Sequence, residues 1–165
     1  MTKDSEGPPE APSIDRRLRF GRLQLAGLIV IALIPAAAMA GVFGESQASA
    51  EASTAAFTVR MRYPERLRYR QTGRFDIFLE NRSNTTLDTI TVQFDTAYVT
   101  RFADPVFVPD PTEPFRIPIS NVRSGETRLV TAWLKADATW AHEGDVRITS
   151  GNNSVSIRVR TLVFP

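Results

Sequence analysis

From Leu23 to Phe43 the chain carries no charged residue. At 1.5 Å per helical residue such a run reaches about 30 Å, the thickness of a bilayer's hydrocarbon core. It divides the 165 residues into four parts. Residues 1–22 are a polar, proline-bearing tail expected to be disordered on the cytoplasmic side. Residues 23–43 are an expected transmembrane helix or uncleaved signal anchor. Residues 44–56 (GESQASAEASTAA) read as a flexible tether. Residues 57–165 are long enough for one core, and function must be sought there.

Lys3, Arg16, Arg17, Arg19 and Arg22 precede the run, and no further basic residue occurs before Arg60. Basic flanks stay in the cytoplasm, so the N-terminus is expected inside and the C-terminal domain outside the cytoplasmic membrane. Ala38-Met39-Ala40 offers an alternative, because an A-x-A triplet after Pro35 fits a signal cut after Ala40. The long tail, with acidic residues and prolines among its arginines, and the apolar run continuing to Phe43 favour the anchor. Ala32, Ala36 and Ala40 recur every four residues, a spacing that lets a second membrane helix pack closely.

Beyond Phe57 the dominant period is two. Phe57, Val59, Met61 and Tyr63 alternate with Thr58, Arg60 and Arg62; Phe75, Ile77 and Leu79 alternate with Asp76 and Glu80, with Phe78 breaking the polar side; Ile90, Val92 and Phe94 alternate with Thr89, Thr91 and Gln93. Similar runs cover 66–70, 115–119, 128–134, 146–149 and 155–163. Such alternation puts one face in a core and the other in water. Turn residues punctuate the runs at Gln71-Thr72-Gly73, Asn81 to Thr85, Ser124-Gly125, Glu143-Gly144 and Gly151-Asn152-Asn153. Seven to eight short strands without a helical pattern predict an all-β fold, an antiparallel β-sandwich.

Gly73-x-Phe75-x-Ile77-x-Leu79-x-Asn81, Asn84, and Leu87-x-x-Ile90-x-Val92-x-Phe94 resemble the front half of bacterial immunoglobulin-like envelope modules related to CARDB and NEW3-type domains. Val122-x-x-Gly125-Glu126-Thr127, Gly144-x-Val146-x-Ile148 and the closing 154–164 run are similar to their later turns and strands. The resemblance spans about residues 57–165. It implies an immunoglobulin-like sandwich serving as an adhesive, spacer or accessory domain, and no activity.

The chemistry-bearing residues exclude more than they suggest. There is no cysteine, hence no disulfide, thiolate metal site or cysteine nucleophile. A bacterial envelope protein fits that absence. The net charge of +2 is too small to imply nucleic acid. His142 is the only histidine and belongs to no ligand or catalytic motif, so neither enzyme activity, cofactor nor metal is expected. Asp104, Asp110 and Glu113 match no calcium loop.

What remains is recognition. Phe102, Phe107 and Val108 lie in a proline-rich stretch from 102 to 114 that reads as a stiff crossover loop, and loops on rigid scaffolds carry contacts. Trp140 is expected exposed, whereas Trp133 is expected in the core on one face with Leu129 and Thr131. Arg66, Arg68 and Arg70, with Arg60, Arg62 and Arg74, would form a basic face meeting anionic headgroups or an acidic partner. The expected role is a membrane-anchored binding or scaffold module, an accessory subunit with a protein partner in the membrane or envelope. The alternative is a secreted module binding an envelope polymer or glycan. A small-molecule ligand is not expected.

Overall fold

The computed structural model describes residues 21–39 and 45–165, which fall into two compact units divided at position 40. The first holds helix α1, Arg22–Met39, of 18 residues. Its start is capped locally: the Gly21 N–H donates to Gln24 Oε1 at 3.1 Å, the reach-back of a third-position Gln to the cap residue. Leu25, Leu28, Ile29, Val30, Ile31, Leu33 and Ile34 are each more than half exposed, so the helix is apolar all round. Ala32 and Ala36 are exposed on it, whereas Ala40 lies outside the described residues. Among the described residues no helix is long and apolar enough to cross a membrane. The expected span of 23–43 starts in α1 and runs on into residues 40–43, also outside the described ones.

The second unit is almost entirely strand: β1 (Ser46–Ser53), β2 (Phe57–Arg68), β3 (Thr72–Asn81), β4 (Leu87–Phe94), a single helical turn α2 (Thr96–Val99), β5 (Phe102–Val108), β6 (Arg116–Val122), β7 (Thr127–Ala136), β8 (Trp140–Ser150) and β9 (Asn153–Phe164). Their order is β5-β7-β3-β2-β9-β8-β4-β6, with β1 on β2. The sheet curls into a β-sandwich-like fold and is mixed, which corrects the purely antiparallel expectation. Besides β1, β2 is long enough to serve β3 and β9 in turn. Its first half runs antiparallel to β3, and its last three residues run parallel to β9 through Arg66–Leu162, Leu67–Val163 and Arg68–Phe164. Pro64, which has no N–H to give to a ladder, lies between the two pairings.

Three element boundaries differ from the expectation. The runs 57–63 and 66–70 belong largely to the one strand β2. The 102–114 stretch contains β5, paired with β7 except where Asp104 and Pro105 interrupt the register. Residues 46–53, expected in the tether, form β1, paired with β2 from Ser46–Arg66 to Ser53–Thr58. Ala48, Ala50 and Ala52 are half-buried there while Gln47, Ser49, Glu51 and Ser53 are exposed. Even alanine buries surface when it alternates along an edge.

The two halves, β1-β2-β3-β7-β5 and β9-β8-β4-β6, close over one core. Phe75 of β3 meets Phe94 of β4 edge-on at 6.3 Å and Tyr98 of α2 at 6.2 Å. Around them Ile77, Leu79, Ile90, Val92, Ile117, Val130, Leu134, Val146, Ile148 and Val159 are fully buried. Two polar devices hold the ends. Asn81, buried, donates from Nδ2 to the Thr85 and Val122 carbonyls, both at 2.8 Å, and accepts on Oδ1 from the Ser83 N–H and hydroxyl. Thr161 donates to the Pro64 carbonyl at 2.8 Å. Its one hydroxyl proton is then committed, so the Tyr98 phenol is the donor in the 2.8 Å contact between them.

Candidate interaction surface

Phe102 and Phe107 are not presented to a partner: both are 5% exposed. Five residues apart, they would face opposite ways in an unbroken strand; the register break between Ala103 and Val106 turns both inward, where Phe102 packs on Tyr98 at 5.1 Å and Phe107 on Phe94 at 5.4 Å. Val108 does face outward, and so does Val106; the two are 52% and 53% exposed.

The register extends this outward row across the sheet. Val106 stands opposite Trp133 of β7, and Val108 opposite Thr131. Arg74 of β3 stands opposite Trp133, Asp76 opposite Thr131 and Phe78 opposite Leu129. Leu129 is 44% exposed, and Phe78 and Trp133 are half-buried. Leu129, Thr131 and Trp133 do share a face, but it is the outer one; Val130, Ala132 and Leu134 take the core side. An apolar strip of Phe78, Leu129, Trp133, Val106 and Val108 therefore lies on the outside of this half. Arginines edge it, Arg62 within 6.0 Å of the Phe78 ring and Arg74 within 5.9 Å of the Trp133 ring. Such guanidinium–ring contacts shield part of the apolar area while leaving it accessible. Beside it, toward β1, Ser49, Glu51, Arg60, Arg62, Phe78 and Glu80 line a shallow groove.

The arginines do not make one basic face. Arg60 pairs with Glu80 at 3.4 Å and Arg74 with Asp76 at 2.9 Å. Arg66 is half-buried and Arg68 exposed near the end of β2, and Arg70 occupies the following turn at φ 64° beside the Tyr69 ring. Trp140, 72% exposed, reaches the same end of the domain. It stands opposite Val163 of β9, which pairs in turn with Leu67 between Arg66 and Arg68. Its backbone is left-handed, φ 78°, a conformation unfavourable to a bulky residue. Thus the structure gathers Arg66, Arg68, Arg70 and Trp140 at one end, apart from Val108 on the outer strip.

Of the polar candidates, His142, Asp104 and Glu113 are engaged structurally. His142 contacts the Ala138 carbonyl through Nε2 at 2.9 Å and packs against Phe102. Asp104 pairs with Lys135 and Glu113 with Arg116. Among the described residues no three His, Cys, Asp or Glu side chains are grouped to hold a metal.

No protein-family model matches the chain, and no curated protein sequence matches it. Among solved structures it is similar to domains 4 and 5 of the S-layer protein SbsC, at 16% identity and a TM-score of 0.34, over 74% of this chain and 54% of that one. It is similar to a cohesin module from a Clostridium perfringens family 33 glycoside hydrolase, at 9% identity and a TM-score of 0.42, over 67% and 100% of the two chains. A third is the GAE domain of GGA2p from Saccharomyces cerevisiae, at 10% identity and a TM-score of 0.35, over 72% and 98%. At these scores no role is carried over, and function is argued from the chain's own residues.

Proposed function

We propose that this chain is a binding or scaffold module displayed outside the cytoplasm of a bacterial cell and held to the cytoplasmic membrane by its apolar N-terminal segment. In this reading it is a small, non-enzymatic accessory subunit of a membrane or envelope complex. The observation that carries it is the character of α1, whose large apolar side chains are exposed on every side. A helix hydrophobic all round is stable only in apolar surroundings. The sequence continues the run to Phe43, and the arginines before it orient the tail inward. The outward strip of Val106, Val108, Leu129, Trp133 and Phe78 supplies a surface for a protein partner. The turns at Asn81 and Gly125 support the finer family reading, an immunoglobulin-like envelope module of the CARDB or NEW3 type.

The test is fractionation of the tagged full-length protein with an alkaline wash and an intact mass. An uncleaved chain that resists the wash supports the anchor. A soluble chain beginning at Gly41 overturns it. That outcome would favour the second reading, a secreted module binding an envelope glycan, for which exposed Trp140 is the stacking surface.

A further inference from the structure

We infer that β1 is the subunit interface of a symmetric dimer, pairing antiparallel with β1 of a second copy of this chain about Ala50. An open strand edge offers unpaired N–H and C=O groups to any other strand, and stable proteins guard such edges. Here the other bordering strands are guarded. β5 carries Pro105 and a register break from Ala103 to Val106, with Asp104 at φ 48°. β6 carries Pro118 and a left-handed Asn121, φ 55°. β9, which meets β2 only from Leu162 onward, presents exposed Arg158 and Arg160 along its length. β1 has none of these devices: no proline, no basic residue, no left-handed residue, and an irregularity only at its first step between Ser46 and Gln47. It pairs with β2 alone among the described residues.

Its sequence fits itself. In an antiparallel pair, opposed residues share a face. Pairing about Ala50 sets Ala50 against Ala50 and Ala48 against Ala52 on the half-buried face, continuing the small-residue layer into the second copy. On the exposed face it sets Ser49 against Glu51 and Gln47 against Ser53. The strand's only charge, Glu51, thereby avoids its own symmetry mate, which a register centred on Glu51 would impose. Ser49 stands opposite Arg62 on β2, so Glu51 of one copy enters a row whose next member is an arginine of the other. Charge and size together select this register and this occupant.

The test uses the full chain, whose lack of cysteine makes introduced thiols unambiguous. Opposed residues in such a pair lie about 4.5–5.5 Å apart at Cα, within disulfide range. Ala50→Cys is therefore expected to cross-link with itself on mild oxidation in detergent solution. Ser53→Cys is not, because its symmetry mate would be about 20 Å away along the strand. Ser49→Glu adds an attraction to Arg62 within each copy but opposes Glu51 twice across the interface, so it leaves folding intact and weakens the dimer about tenfold by light scattering. A monomer at about 100 µM overturns the inference. So does a dimer indifferent to Ser49→Glu in which Ser53→Cys cross-links instead. Neither result bears on membrane anchoring.

Discussion

Thr58 buries a hydroxyl at 3% exposure, with no hydrogen-bond partner for Oγ1 among the described residues. An unmet buried hydroxyl costs about 1–3 kcal/mol. Thr58→Val keeps the shape and removes the unmet group, so we expect urea denaturation to show stability raised by about 1 kcal/mol. Tyr98 presents the opposite case. Burial pushes its phenol well above the ordinary value of 10.0. The folded state therefore holds the proton that the unfolded chain releases above pH 10. The stabilisation is complete below pH 10 and is lost as pH rises from there toward the folded pKa, by at most about 1.4 kcal/mol per pH unit. Tyr98→Phe is expected to cost about 1 kcal/mol at pH 7 and to make the stability curve from pH 10 to 12 shallower than wild type. Parallel curves would show that Tyr98 ionises in the folded protein.

At the scale of elements, alternation made β3, β4 and β9 legible because their core residues are large and their other face is mostly polar. It failed where those contrasts fade. β1 alternates alanine with serine and glutamate, a pattern as regular as that of β3 but with too little apolar surface to separate it from a tether. Strand β7 is apolar on both sides at Leu129, Val130, Ala132, Trp133 and Leu134, so composition does not reveal which face is inner; only pairing with β3 does. Gly144 reads as a turn, yet it lies buried inside β8, where an added Cβ would run into Tyr98. A close approach of backbone to ring is invisible in one dimension. Of the candidate residues, Trp140 was expected exposed and is, but Phe102, Phe107 and Val108 could not be told apart, because β5 hides as a proline-rich stretch. Asn81 shows what a turn signal encodes. Its side chain ties the β3–β4 turn to the end of β6 with four satisfied bonds. Asn81→Ala is expected to cost about 3 kcal/mol and lower the urea midpoint. An effect under about 0.5 kcal/mol would mean that the turns hold without it.

For the molecule as a whole, the question is whether two half-sheets, joined by strand pairing among the described residues only at β2 and β9, behave as one. The parallel link is three residue pairs long, too short to couple the halves by backbone bonds alone. Coupling must come from the shared core, and its centre is Phe75 on one half against Phe94 on the other. Truncating either ring in a packed core costs about 3–5 kcal/mol. If the halves form one cooperative unit, each truncation already forfeits their mutual contact, so the double variant should cost less than the sum of the two. An edge-to-face pair contributes about 0.5–1.5 kcal/mol beyond burial, and contacting residues couple on that scale or above. We therefore expect Phe75→Ala and Phe94→Ala, each unfolding in a single transition, to fall short of additivity by at least about 1 kcal/mol. Strict additivity, or two separate transitions, would mean that the halves are stable independently and that the seam at β2 is a hinge.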